Sequence, residues 1–181
     1  MAVSIRLATE EDAAALAAIY APYVTDSPIS FEEVAPDPVE MARRIRGERP
    51  GHHPWLLAEE DGAVLGYCAS SPFRTRPAYR WSVETGIYLL PAAKGRGLGR
   101  VLLEAMCALL ERQGYVAVIG AIALPNPASV ALHEKAGFAH VGGYRGTGFK
   151  QGAWLDVGLW QRDLAPRSAA PNEPRPFAGL I

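Results

Sequence analysis

Cysteine is scarce in this chain, and the two present, Cys68 and Cys107, lie within apolar stretches instead of in CxxC or Cys/His spacing. That placement argues against a disulfide framework or a zinc centre, so two buried free thiols and no metal are expected. Long hydrophobic runs are missing too. No stretch approaches the roughly 20 apolar residues of a membrane span. The opening MAVSIRLATEED has no apolar signal-peptide centre, so a cytoplasmic protein without membrane partners is expected. Nor does either sign of charge dominate: the formal net charge is -1, which offers no broad footprint for nucleic acid or an anionic surface. Any cationic site must be local.

What is present is a chain of 181 residues, 49% hydrophobic and 20% charged, which suits one ordinary core. Val3, Ile5 and Leu7 alternate with polar neighbours as a strand. Thr9-Glu10-Glu11-Asp12 then opens an amphipathic helix to about Tyr20. Asp37-Pro38 predicts a short helix over 39–46, after a loop over 27–36. Strands over 55–60 and 64–71 flank Asp61-Gly62, a hairpin signal, and a third strand follows over 81–90. Leu98, Val101, Leu102, Ala105, Met106, Leu109 and Leu110 share one helical face, and Gly114 ends that helix. A strand over 116–122, a helix over 128–136 and strands over 139–144 and 154–162 complete the pattern. The fold expected is α/β, a single mixed and mostly antiparallel sheet flanked by helices. It forms one domain over 1–164, with a loose Pro- and Ala-rich tail over 165–181.

The run LLPAAKGRGLGRVLL over 89–103 places Gly95, Gly97 and Gly99 at alternate positions, among Lys94, Arg96 and Arg100, at the mouth of a helix. Glycine lets a ligand approach the backbone, and a first helical turn offers unpaired N–H groups, so this is an anion site, best suited to phosphate. A glycine-rich surface turn is the alternative. A Walker A loop does not fit, because Gly99 is followed by Arg100-Val101 instead of lysine and a hydroxyl residue. A dinucleotide fingerprint does not fit either, since Arg100 holds its last glycine position.

The stretch Lys94-Gly95-Arg96-Gly97-Leu98-Gly99 resembles the R/Q-x-x-G-x-G signature with which GCN5-related N-acetyltransferases hold the pyrophosphate of acetyl-coenzyme A. Asn126 to Phe138, an asparagine entering a helix that ends in Gly-Phe, resembles a second motif of that superfamily. PISFEE (28–33), FRTRPAYRWSVE (73–84), LPNPASVALHEKAGF (124–138) and GFKQGAWLDVGLWQRDL (148–164) are similar to its phosphinothricin and methionine sulfoximine N-acetyltransferase branch. The resemblance spans about Val3 to Leu164. It implies a sheet splayed at an acetyl-CoA cleft, a small amino-acid-like substrate and a homodimer.

An acceptor amine is mostly protonated at neutral pH, so acetyl transfer needs a base. Glu84 lies in an otherwise apolar strand, where desolvation would raise its pKa, and it matches the branch's catalytic glutamate; a structural ion pair is the alternative. His133 stands where many members carry a tyrosine near the coenzyme sulfur, as a catalytic or a structural residue. It shares a helix face with Ser129. The resemblance assigns the coenzyme to Ile87, Tyr88 and Leu89 through their backbone, and to Gly95, Arg96, Gly97, Leu98, Gly99 and Arg100. Asn126 reads as a helix cap that could also touch the coenzyme, with Ser129 beside it. Arg74 and Arg76 flank Thr75 in an extended stretch and can project together, and the resemblance makes them a clamp for the substrate's acid groups. Phe31 and Tyr79 would line its side-chain pocket or pack in the core. Lys150, Trp154, Trp160 and Gln161 read as structural, and His52, His53 and His140 as surface or packing residues. Lys94 replaces the usual arginine or glutamine, and Gly86 stands where relatives often carry a hydroxyl residue. Acetylation of another amine, or a non-catalytic acyl-CoA sensor, are the rival functions.

Overall fold

A computed structural model describes residues 3–178 and 180. Among the described residues seven strands form one sheet: β1 (Ser4–Leu7), β2 (Trp55–Glu60), β3 (Ala63–Pro72), β4 (Ser82–Leu89), β5 (Ala117–Leu124), β6 (Ala139–Lys150) and β7 (Ala153–Asp163). Their spatial order is β1-β2-β3-β4-β5-β7-β6. Every neighbouring pair is antiparallel except β4 and β5, which run parallel. Four helices cover the sheet: α1 (Ala13–Thr25), α2 (Pro38–Arg46), α3 (Leu98–Gln113) and α4 (Pro127–Lys135). The mixed α/β architecture read from the sequence is therefore the one observed.

Local signals account for most element ends. Asp61 and Gly62 both take positive φ, 51° and 78°, as the β2–β3 hairpin turn requires. Asp37 Oδ1 accepts the Glu40 N–H at 2.8 Å with Pro38 in the first helical position, so α2 starts where the sequence places it. The Thr9 N–H donates to Asp12 Oδ2 at 2.8 Å, closing the capping box before α1.

Two apolar clusters sit on opposite faces of the sheet. Leu16, Ala17, Ile19, Tyr20 and Val24 of α1 and Met41 of α2 pack on Leu57 and Tyr67. Leu102, Leu103, Met106 and Leu110 of α3, all fully buried, pack on Leu56, Cys68, Val83 and Val118. Each such side chain contributes about 1.5–3 kcal/mol of burial. Cys68 and Cys107 are buried free thiols in this second cluster.

Three boundaries differ from expectation. α1 passes Tyr20 and runs through Pro22 to Thr25, because Tyr20 and Val24 both gain burial on the sheet and outweigh the amide lost at proline. β5 extends beyond 122 to Leu124, paired with β7 along its whole length. β6 continues beyond 144 to Lys150, across a register shift between Tyr144 and Gly148 that absorbs Arg145-Gly146-Thr147. The segment over 165–178 has no helix or strand, yet it is tied down. Gln113, fully buried, donates its side-chain amide to Arg175 O at 2.8 Å, Trp81 Nε1 donates to Asn172 O at 2.8 Å, and Phe177 packs on the α3 cluster.

Candidate active site

The site begins with an interrupted ladder. β4 and β5 pair at only three rungs, Ser82↔Ala117, Val83↔Val118 and Glu84↔Ile119. Beyond them β4 stays with β3 as far as Gly66↔Leu89, and β5 stays with β7 as far as Leu124↔Asp156. The sheet is forked, and Glu84 stands at the fork.

Strand alternation assigns the open edge. The Leu90 N–H donates to Leu65 O on the β3 side, so Thr85, Ile87 and Leu89 turn their amide groups toward the gap. Those of Leu89 are occupied, since Tyr23 Oη donates to Leu89 O at 2.7 Å and accepts from Leu89 N at 3.2 Å. Ile87 keeps the open edge, whereas the Thr85 N–H belongs to the last rung with Ile119 and leaves only its carbonyl beside the gap. Tyr88 departs from the sequence assignment: it pairs with Tyr67 across β3, and its ring joins Tyr20 at 4.6 Å on the α1–α2 face. It lines the opposite pocket, and its backbone pairs with β3 instead of facing the gap.

At the wide end of the fork, Gly95 and Gly97 take φ of 77° and 80°, conformations that favour glycine, with no atom within 4 Å of the space a side chain would fill. By helix geometry the N–H groups of Leu98 and Gly99 have no carbonyl one turn back. Gly99 is bare for a different reason, because a Cβ there would lie 3.3 Å from Leu132 and 3.6 Å from Leu89. Two of the three neighbouring cations already have partners, Arg96 with Glu60 at 2.8 Å and Arg100 with Glu104 at 2.8 Å, while the Lys94 amine lies over the Tyr23 ring.

Across the fork, α4 is capped by Asn126 Oδ1, which accepts from the Ser129 N–H at 3.2 Å. His133 on this helix is buried, with Nδ1 2.8 Å from Ser129 O and Nε2 without a partner among the described residues. Nε2 points at Gly120 on β5, where a Cβ would come within 2.5 Å of it. A carbonyl only accepts, so Nδ1 carries the proton and Nε2 presents a lone pair. Burial lowers the His133 pKa and keeps the ring neutral.

Glu84 and His133 belong to opposite faces. Val83 and Ile87 pack with α3 and α4, whereas Tyr88 packs with α1, so alternation turns Glu84 toward the α1–α2 side. There it lines a cavity of about 470 Å³ with Tyr20, Arg44, Arg49, His53 and Tyr88. Burial pushes the Glu84 pKa up, and the charge of Arg74 only partly opposes this. Gly86 belongs to the same wall, and a Cβ there would meet the Tyr88 ring at 3.2 Å.

The expected acceptor residues lie outside that cavity lining. Arg74 is exposed, stacked over Phe73 at 4.5 Å and 3.5 Å from Tyr144 Oη. Arg76 precedes a short 3₁₀ turn over Pro77–Tyr79 and is exposed, and Tyr79 meets the edge of Phe73. Phe31 is 40% exposed and rests on Gly148. Tyr20, Arg44, Arg49 and His53, which sequence reasoning did not select, come from α1, α2 and the segment after α2. No motif marks them; only the apolar spacing that seats α2 over the sheet hints at their placement.

A forked sheet with a bare glycine turn on one side and a buried carboxylate on the other is the architecture of an acyl-transferring enzyme. Comparison with known proteins agrees: the acetyltransferase (GNAT) domain model matches residues 5–159. The chain belongs to the GNAT acetyltransferase family and is an N-acetyltransferase. It is 37% identical to a phosphinothricin N-acetyltransferase of Streptomyces viridochromogenes over 96% of this chain and 92% of that protein. To an L-methionine sulfoximine/L-methionine sulfone acetyltransferase of Salmonella typhimurium it is 30% identical, over 92% of this chain and 98% of the relative. Its fold superposes with a TM-score of 0.89 on a GNAT superfamily phosphinothricin acetyltransferase of Sinorhizobium meliloti, solved with acetyl-CoA. That pair is 37% identical, over 96% of this chain and 95% of the other.

Proposed function

We propose that the protein acetylates the amine of a small amino-acid-like acceptor, phosphinothricin or methionine sulfoximine and its sulfone, from acetyl-CoA. The observation that carries this reading is Glu84 at the fork, with an open strand edge beside it and a separate cavity in front of it. The residues present fit the coenzyme: the N–H and C=O of Ile87, with the Thr85 carbonyl, suit an extended amide-bearing arm, and the glycine turn with the Leu98 and Gly99 N–H groups suits a pyrophosphate. Arg96 and Arg100 add charge by exchanging their carboxylate partners for phosphate. Asn126 and Ser129 hold the α4 end of the same gap.

When bound, acetyl-CoA supplies the acetyl thioester. Glu84, its pKa raised by burial, removes a proton from the acceptor's ammonium, directly or through water, and so frees the lone pair. His133 acts from the coenzyme side as a hydrogen-bond acceptor at Nε2; in its neutral form it has no proton to give there. Arg74 and Arg76, with Phe31 and Tyr79, form the outer wall that meets the acceptor's acid groups once it is seated. Arg74 already acts on Glu84 through its charge.

The relatives acting on phosphinothricin and methionine sulfoximine support this choice of acceptor. We place the enzyme in the cytoplasm; among the described residues no helix is long and apolar enough to cross a membrane. We further propose a homodimer, formed through the exposed aromatic pair Phe149 and Trp154 on the β6–β7 hairpin. The test is thiol release from acetyl-CoA with phosphinothricin, methionine sulfoximine, methionine sulfone, ordinary amino acids, a short peptide and spermidine. Turnover with the first three supports the acceptor assignment, and turnover confined to the others discards it.

A further inference from the structure

Lys150, the last residue of β6, reads as structural in sequence, yet its buried amine makes a set of contacts that no ordinary framework lysine needs. Nζ donates to Val24 O at 2.5 Å, Ser30 O at 2.5 Å and Glu32 O at 2.8 Å. All three N–H donors of a lysine are thereby satisfied by backbone carbonyls, with no carboxylate involved. The carbonyls belong to the end of α1 and the segment after it, which has no helix or strand before α2. One side chain thus replaces the ladder that this segment lacks.

What the amine holds is a wall of the acceptor side. Beyond its carbonyl, Glu32 binds Arg44 through both carboxylate oxygens at 2.8 and 2.9 Å and accepts from Tyr20 Oη at 2.9 Å. Tyr20 and Arg44 both line the cavity in front of Glu84. Tyr20 Oη also lies 2.7 Å from Ser30 Oγ. Phe31, between two of the captured carbonyls, lies on Gly148, where a Cβ would overlap its ring. The same β6 end therefore fixes the segment twice, by charge at Lys150 and by shape at Gly148.

We propose that Lys150 is a positioning residue for the acceptor pocket: its amine sets the 24–32 segment, and through Glu32 sets Tyr20 and Arg44, without touching the coenzyme side. This rests on reading the cavity before Glu84 as the acceptor site. In Lys150→Met, the acceptor KM should rise about tenfold or more while kcat and the acetyl-CoA KM stay within about twofold. Amide hydrogen exchange over 26–36 should accelerate without change in β4, β5 or α3. Gly148→Ala, which keeps the amine and displaces Phe31, should give the same KM-only effect. An unchanged acceptor KM and unchanged exchange in folded Lys150→Met would overturn the proposal. So would a variant that does not fold or that loses coenzyme and acceptor binding alike, since Lys150 would then serve the whole domain. If the wild-type enzyme accepts none of the proposed amines, the acceptor assignment fails, and the exchange measurement still decides the role of Lys150.

Discussion

Glu84 of β4 and Ile119 of β5 form the last rung before the two strands part. A carboxylate at that position is half-buried by paired backbone on one side and faces the gap on the other. The fold thus places the raised-pKa group where the β4–β5 ladder ends, facing the cavity on the α1–α2 side.

The pH dependence follows from that burial. As the proposed base Glu84 must lose its proton, and its pKa is raised above the ordinary 4.5, so the acid limb of kcat/KM should lie above that value. The sign for stability is opposite. A folded-state pKa raised above the unfolded one contributes stability that is full at low pH and is lost as pH rises through the folded value. Glu84→Gln, neutral throughout, should therefore be no less stable than wild type at pH 7, as denaturant unfolding can check; a clear loss of stability would show that Glu84 is a structural partner.

His53 gives the reverse case. Burial, aided by the charges of His52 and Arg49, lowers its pKa to about 4 from 6.5, and His133 shifts the same way. Stability carried by neutral histidines is lost as pH falls, here from about 6.5 toward 4. Replacing His53 by phenylalanine should flatten this slope by about 1–2 kcal/mol, allowing for its partial exposure. Unfolding midpoints between pH 7 and pH 4.5 measure it, and parallel slopes in the two proteins would count against it.

Gly120 tests the seat of His133. A methyl placed within 2.5 Å of Nε2 has to displace a buried ring held by Ser129 O, so Gly120→Ala should cost about 1–3 kcal/mol. Turnover should fall with it, because α4 shifts against the fork. Full activity and stability in this variant would show that the ring is free to move.

The C-terminal segment is a stability element. Removing residues 165–181 deprives the buried Gln113 amide of Arg175 O and uncovers the surface under Phe177. Gln113 keeps its bond to His52 O at 3.1 Å, so the loss is one hydrogen bond of about 0.5–1.5 kcal/mol plus the apolar cover of Phe177, and the truncated chain should melt lower. Its acetyl-CoA KM, measured well below the melting range, should be unchanged.

Much of the fold is legible in the sequence because the signals are local. Asp61-Gly62, Asp37-Pro38 and Asn126-Pro127 name their turns and caps through their own side chains, and the alternate glycines announce by their spacing the tight turn that opens α3. The cavity in front of Glu84 is not legible in the same way. Tyr20, Arg44 and His53 meet there through the packing of α1 and α2 on the sheet, a long-range result with no spacing rule. Lys150 is opaque because its partners are carbonyl oxygens, which every residue owns. The strand over 139–144 reads short because glycines at 146 and 148 interrupt its pattern, while pairing with β7 carries it on to Lys150. Tyr88 reads as a coenzyme-edge residue because sequence names a strand segment but not which of its amides faces which neighbour.

The central claim, that Glu84 serves the chemistry and not the coenzyme site, is tested most directly by Glu84→Gln assayed in parallel for acetyl-CoA binding by calorimetry and for thiol release with phosphinothricin. The account predicts coenzyme affinity within about twofold of wild type and turnover reduced about 10²- to 10⁴-fold. Turnover within a few-fold of wild type, or affinity and turnover falling together, would contradict it.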